Sequence, residues 1–331
     1  MSRPCWPLGR RRGGRRCPAW LAAVTVVVTA VLAAGCASGA AGTPGPVGSA
    51  YWSRSRLLGA LPLGGNGRSA PTPGASAESY AVPVGSGLRV GALFEHSDTG
   101  NHFCTASVVD SPGQDLLITA AHCIYGGSSN GYHSDIVFIP DYRDGQEPYG
   151  VWTVSRLLVP PQWIASADPD YDFGFVVLQP HAGTNIEQIL GANKLGVDTG
   201  YQYLVHVTGY PNSANAPISC INWTTEQSAT QLRFECGGYT GGTSGSPWVT
   251  HFSAKSRTGT IIGVIGGYEE GGDTPSVSYS VRFGEAVQGL YAQATAAPTA
   301  SAVATPSGSA SGSAASPSPS SSASPSASPS S

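Results

Sequence analysis

The chain has 331 residues, with 17 basic and 20 acidic side chains and seven histidines. Six of the basic residues, all arginine, fall in residues 1–35; the remainder carries 11 against 20, a net charge of −9, and offers no basic surface for nucleic acid. The histidines are scattered and form no HExxH or Cys/His zinc spacing, so neither a metal nor an organic cofactor is expected.

In chain order, residues 1–35 join arginines without an acid to an apolar run from Ala19 to Ala34. That is the charged and hydrophobic pair of regions of a secretion signal, too short for a membrane span. The run ends in Leu32-Ala33-Ala34-Gly35-Cys36, which resembles a bacterial lipobox with its leucine one place early. Cys36 is the candidate lipidation site, which would tether the exported protein to a membrane face. Ordinary cleavage nearby, or retention of the segment as a short anchor, are the alternatives. Residues 36–85 are rich in Gly, Pro, Ala and Ser but include Tyr51, Trp52, Leu57, Leu58 and Leu61; they read as a linker or a pro-segment.

From 86 to 294, short apolar runs alternate with Gly, Pro, Asn and Asp clusters, the pattern of an all-β domain. Strands are expected near 89–94, 102–109, 115–119, 135–139, 150–159 and 172–179, and again near 201–209, 217–225, 230–236, 247–252, 260–267 and 277–283. One helix is expected over 284–293, with Ala286, Val287, Leu290 and Tyr291 on one face. Residues 295–331 are almost entirely Ala, Ser, Pro, Gly and Thr without charge or aromatic ring, a composition that cannot offset its chain entropy by burial, and they read as a disordered tail. With Cys5 and Cys17 in the signal and Cys36 apart, four cysteines remain in the folded part, Cys104, Cys123, Cys220 and Cys236, which allow three pairings.

Three short motifs carry chemistry. Residues 119–123 read TAAHC, 172–178 read DFGFVVL and 242–247 read GTSGSP, which places His122, Asp172 and Ser244 in that order, 50 and 72 residues apart. A serine hydroxyl needs a base within reach, and the base needs a group to orient it. The order argues against the α/β-hydrolases, in which serine leads within GxSxG, and against subtilisin-like enzymes, in which aspartate leads. Asp168 and Asp170 compete with Asp172, but only Asp172 opens an apolar strand pattern, so the other two read as solvated loop residues. Ser246 is the rival nucleophile.

In all three motifs the chain resembles the chymotrypsin/trypsin-like serine proteases, and the GxSGSP form resembles their bacterial branch, which includes glutamyl endopeptidases. The resemblance implies two six-stranded antiparallel β-barrels, joined through 180–200 and followed by a short C-terminal helix, with the site in the seam between them. It implies His122 as base, Asp172 as its orienting partner, Ser244 as nucleophile, and the amides of Gly242 and Ser244 as the oxyanion hole. Cys104 is then joined to Cys123, leaving Cys220 for Cys236; both bridges require an oxidising compartment.

Substrate preference follows from departures from the family pattern. Gly238 stands six residues before Ser244, where trypsin-like enzymes carry an aspartate for Lys or Arg, and Ile265 stands where glutamyl endopeptidases carry a histidine. Neither preference is expected; a hydrophobic or small side chain fits better. The stretch Ile265-Gly266-Gly267 would pair with substrate backbone as an added strand. Thr243 replaces the aspartate that, in trypsin-like animal enzymes, pairs with a newly cut N-terminus, so activation by that route is not expected. The reading is an exported serine endopeptidase acting on peptide or protein substrates; the competing class is a protease-like surface protein kept for binding, since fold does not imply function. Oligomeric state leaves no mark in the sequence.

Overall fold

The computed structural model describes residues 47–63, 79–85, 89–127, 129–211 and 216–296. The expected secretion signal, Cys36 and all but the first two residues of the expected tail lie outside them. The chain enters through two single-turn helices, α1 (Val47–Tyr51) and α2 (Arg54–Leu58), and two short strands, β1 (Leu61–Pro62) and β2 (Val82–Pro83). There follow β3 (Val90–Ser97), β4 (Gly100–Val109), β5 (Leu116–Thr119), β6 (Ser134–Pro140) and β7 (Trp152–Leu158); helix α3 (Pro161–Ser166) then leads to β8 (Gly174–Leu178). Helix α4 (Ile186–Leu190) and β9 (Lys194–Leu195) lead to β10 (Leu204–Gly209), β11 (Ile218–Glu226), β12 (Gln231–Glu235), β13 (Pro247–Ser253), β14 (Thr258–Val264), β15 (Val277–Val281) and α5 (Glu285–Thr295).

Each of the twelve expected strands is present. Strands β3 to β8 hydrogen-bond in the order β4-β3-β6-β7-β8-β5 and close through β4 with β5, giving a six-stranded barrel. The second set runs β15-β12-β11-β10-β13-β14, with β9 added to β14 and β2 to β11. No ladder joins β14 to β15; the Val264 amide donating to Ser280 Oγ at 2.9 Å and the Gly266 amide donating to Tyr279 O at 3.1 Å draw them together instead.

Leu93, Leu117, Phe138, Trp152 and Val176 fill the first barrel, and Val207, Leu232, Phe234, Trp248 and Ile262 fill the second set. A third cluster joins the two: Ile118, Phe173 and Phe175 from the first pack with Val249, Ile261, Val264 and Phe283 from the second. Burying such a side chain stabilises by about 1.5–3 kcal/mol, so this seam holds the residues around it in a fixed relation. Phe173, next to Asp172, is one of its fully buried members.

Within the segment read as a linker or pro-segment, residues 47–63 and 79–85 are described, and they pack on the fold. Trp52 and Leu57 are buried against Phe94, Val137, Ile139 and Tyr142 on the outside of the first barrel. Val82 and Pro83 extend the second set at Ser219 and Ile218. Of the apolar residues that stood out in a Gly/Pro-rich stretch, Trp52 and Leu57, with Tyr51 against them, anchor it, whereas Leu58 and Leu61 are exposed. Helix α5 falls where expected, but its buried face is Val287, Leu290 and Ala294; Ala286 is exposed, and Tyr291 is half-buried with its hydroxyl on Asp110 O at 2.8 Å.

Strand β3 carries one polar residue into the core. Glu95 is fully buried, with Oε2 2.9 Å from Nδ1 of His133, whose side chain is 8% exposed. Removing one member of a buried pair leaves the other without its partner, which costs more than replacing both. Glu95→Ala is expected to lower unfolding free energy by about 3 kcal/mol, and the Glu95→Leu/His133→Phe pair to recover most of it, measured by urea titration of the oxidised protein.

Candidate active site

His122 sits on a single helical turn just past β5, with the Ile124 and Tyr125 amides both donating to Ala121 O at 3.0 Å. Ala120 and Ala121 are fully buried beneath it. A disulfide from Cys123 to Cys104 ties this turn to β4, and a second joins Cys220 to Cys236, as the family resemblance implied.

Asp172 follows a 3-10 turn, Pro169–Tyr171, and is completely buried. One carboxylate oxygen, Oδ2, lies 2.8 Å from His122 Nδ1 and accepts the Gly267 amide at 2.8 Å; the other, Oδ1, accepts the His122 amide at 3.0 Å. Burial pushes the carboxyl up, but the His122 ring and these hydrogen bonds outweigh it and hold Asp172 below the ordinary aspartate value. Because a carboxylate only accepts hydrogen bonds, the contact makes His122 Nδ1 the ring nitrogen that carries the proton.

The flanking acids do other work. Asp168 accepts the Asp170 amide at 3.0 Å, capping the turn. Asp170 is not a free loop residue, because Oδ1 accepts Thr230 Oγ1 and Gln231 Nε2, both at 2.8 Å. Gln231 also donates to Pro169 O at 3.0 Å and accepts the Tyr268 amide at 3.3 Å, so it clasps the turn before Asp172 to the segment that carries Gly267. No motif marked Gln231; its role arises only when β12 reaches the seam.

Ser244 lies in a tight turn ahead of β13, and its carbonyl accepts the Thr105 amide at 2.8 Å. Thr105 follows Cys104, whose disulfide partner Cys123 follows His122, so one hydrogen bond and one covalent link join the serine turn to the histidine turn. Gly245 has φ +81, and a Cβ there would stand 2.1 Å from Thr105 O; glycine is what permits this approach. Ser244 Oγ is buried and makes no hydrogen bond. Ser246, by contrast, is fully buried and donates to Thr243 O at 2.6 Å, which leaves it poorly placed as a nucleophile. The Gly242 amide donates to Leu63 O at 3.1 Å.

The residues expected to meet substrate are only partly where the sequence suggested. Gly238 lies near Ala81 and Ile218. The expected strand through residue 267 stops at Val264. Ile265 is fully buried in the second core, and its backbone is taken on both sides: its amide donates to Ser246 O at 3.0 Å and its carbonyl accepts the Gly245 amide at 2.7 Å. Ile265 therefore supports the serine turn from behind and is no pocket wall. Gly266 crosses directly over Asp172, where a Cβ would stand 2.9 Å from its carbonyl oxygen, and Gly267 spends its amide on the Asp172 carboxylate.

The trypsin family profile matches residues 74–286. The chain belongs to the trypsin family. Its matches include an extracellular metalloprotease of Bacillus subtilis, 25% identical over 50% of this chain and 51% of the relative. A glutamyl endopeptidase of Bacillus licheniformis is 26% identical over 46% of this chain and 47% of the relative. The chain thus spans about half the length of the curated relatives it matches. Among solved structures, the protease Anisep from Arthrobacter nicotinovorans superposes with a TM-score of 0.58 at 26% identity, covering 65% of this chain and 97% of that one. A Glu endopeptidase shares the fold, with a TM-score of 0.53 at 17% identity, covering 66% of this chain and 97% of that one. The Bacillus subtilis relative is named for a metal. Among the described residues, one group of three potential ligands is close enough, Cys104, His122 and Cys123, and its two sulfurs are bonded to each other.

Proposed function

We propose that this trypsin-family chain is an exported serine endopeptidase. The observation that carries the reading is the buried Asp172 carboxylate, 2.8 Å from His122 Nδ1 and braced by two backbone amides. A carboxylate held in this way fixes the imidazole tautomer and stabilises the imidazolium that forms when the ring accepts a proton.

Ser244 Oγ attacks the carbonyl carbon of the scissile peptide while His122 Nε2 takes its proton. The carbonyl oxygen becomes an oxyanion, for which the Gly242 and Ser244 amides are the donors; such a donor is typically worth about 2.7–4 kcal/mol of barrier. Cleavage of the C–N bond passes the proton from His122 to the leaving amine and leaves an ester on Ser244. Water then attacks the ester, His122 accepts its proton and returns one to Ser244 Oγ, and the acid product departs.

The two disulfides fit an oxidising compartment, as expected of an exported protein. Attachment through a lipid on Cys36 belongs to the same proposal, as does the division into signal, upstream segment, protease domain and tail. The named relative cleaves at glutamate, but this chain has buried Ile265 where a charge-recognising histidine was sought, and Gly238 supplies no carboxylate for Lys or Arg. We therefore assign a hydrophobic or small side chain at the cleaved position. A diverse peptide library incubated with oxidised wild type and with Ser244→Ala tests both parts. Cutting confined to wild type, after apolar or small residues, is expected; equal digestion by the two proteins overturns the endopeptidase, and cutting after Glu, Lys or Arg overturns the preference.

A further inference from the structure

We infer that residues 47–63 act as an autoinhibitory arm, which docks on the first barrel and places Leu63 across the β4 edge beside Gly242 of the proposed active site. The inference rests on the protease reading above and concerns the regulation of that same site.

The arm is anchored far from the chemistry. Trp52 and Leu57 are buried against Phe94 and Val137, and Trp52 Nε1 donates to Asp135 O at 2.6 Å. Tyr51 donates its hydroxyl proton to Asn101 Oδ1 at 2.7 Å, and Arg54 Nη2 donates to Asp144 O at 3.1 Å. From this footing the chain extends as β1, parallel to β4, with Leu61 opposite His102 and Pro62 opposite Phe103. The Leu63 amide then donates to Phe103 O at 2.9 Å, and the Leu63 carbonyl accepts the Gly242 amide at 3.1 Å.

Each of these contacts takes something a substrate needs. An extended peptide binds a protease by adding a strand to an exposed sheet edge. The β4 edge at Phe103 lies two residues from Thr105, whose amide holds the Ser244 carbonyl, so it is the edge that continues from the nucleophile. Leu63 occupies it. The Gly242 amide is one of the two proposed oxyanion donors, and a donor already bonded to a carbonyl must give up that bond before it can serve a transition state. The Leu63 side chain, half-buried, packs on the cluster that contains Ala121, Cys104, Cys123 and Trp163 around the histidine turn. Strand edge, donor and apolar contact are therefore filled together by one residue, whose position is set by an anchor that touches none of the catalytic groups.

An arm of this kind lowers the reactive fraction by the population of its docked form, and loosening the anchor should restore it. The test uses the full oxidised chain, as wild type, as Trp52→Ala/Leu57→Ala and as Leu63→Pro, which lacks the amide hydrogen bonded to Phe103. Two readouts are taken: the rate of fluorophosphonate labelling at Ser244, and hydrogen exchange in peptides covering residues 238–246. Labelling at least ~10-fold faster in both variants, with faster exchange over 238–246 and unchanged far-ultraviolet circular dichroism, is the expected result. Equal labelling of wild type and variants would overturn the arm while leaving the protease reading intact. If no protein labels although exchange rises in the variants, the nucleophile assignment fails and the inhibitory role fails with it. Should exchange over 238–246 stay unchanged in both variants, Leu63 does not guard the Gly242 amide, and the inference is overturned whatever the labelling.

Discussion

Replacing Ser244 by alanine is expected to lower kcat for a cleaved peptide by on the order of 10⁶, about 8 kcal/mol of barrier, while leaving the fold at least as stable. The two halves of this expectation have separate causes. Without the hydroxyl no ester forms, and the background that remains comes from binding and oxyanion donors alone. The same hydroxyl is buried without a hydrogen bond, so its removal relieves an unsatisfied polar group and should raise stability by about 1–3 kcal/mol. His122→Ala should cost a similar factor, and the double variant little more than either, because serine and histidine act as one unit. Steady-state rates together with thermal unfolding of the three variants check this. Activity surviving Ser244→Ala would move the nucleophile elsewhere, and Ser246 is a poor substitute, since its hydroxyl is committed to Thr243 O at 2.6 Å.

Asp172→Asn is expected to lower kcat by on the order of 10⁴ and to change how the protein responds to acid. The carboxylate accepts three hydrogen bonds with two oxygens; an amide has one oxygen, and its NH₂ would face a donor from either His122 or Gly267. The imidazole would be held in the wrong tautomer or turned. For stability, the native carboxyl is depressed below its usual value near 3.9, so its contribution is present above that value and is lost as pH falls through the native one. Wild type should therefore lose stability on acidification below about pH 4, where unfolded aspartate takes up protons first. The Asn variant should lack that part of the slope. Urea titrations of both proteins from neutral pH down into this range check the sign; parallel acid limbs would mean that Asp172 is not the depressed group.

What could be read in the chain follows the range over which each signal acts. Strands repeat every two residues and turns carry their own chemistry, so all twelve strands of the two halves were visible in alternating apolar runs between Gly, Pro and Asn clusters. His122, Asp172 and Ser244 stood out because each sits in a short local motif, with small residues where the backbone must pass close. The face of α5 was misjudged at Ala286, since periodicity gives an arc but not which edge of it meets the barrel. Ile265 was misplaced for a similar reason: an apolar run reads as strand until a sheet ends, and only the serine turn, bonding Ile265 on both sides, shows that it has left the ladder.

The sequence by itself therefore determined the β architecture, the order in which His122, Asp172 and Ser244 follow one another and, through family likeness, the pairing of the cysteines. Tertiary structure alone decided what surrounds them. Gly267 reaches Asp172 across 95 residues, Gln231 reaches Asp170 across 61, and Leu63 reaches Gly242 from a segment whose composition suggested a linker or a pro-segment. Such contacts have no period and no local spacing. They form because burying Trp52, Phe173 and Phe283 brings groups distant in the chain side by side, where each polar group takes the partner the packing presents.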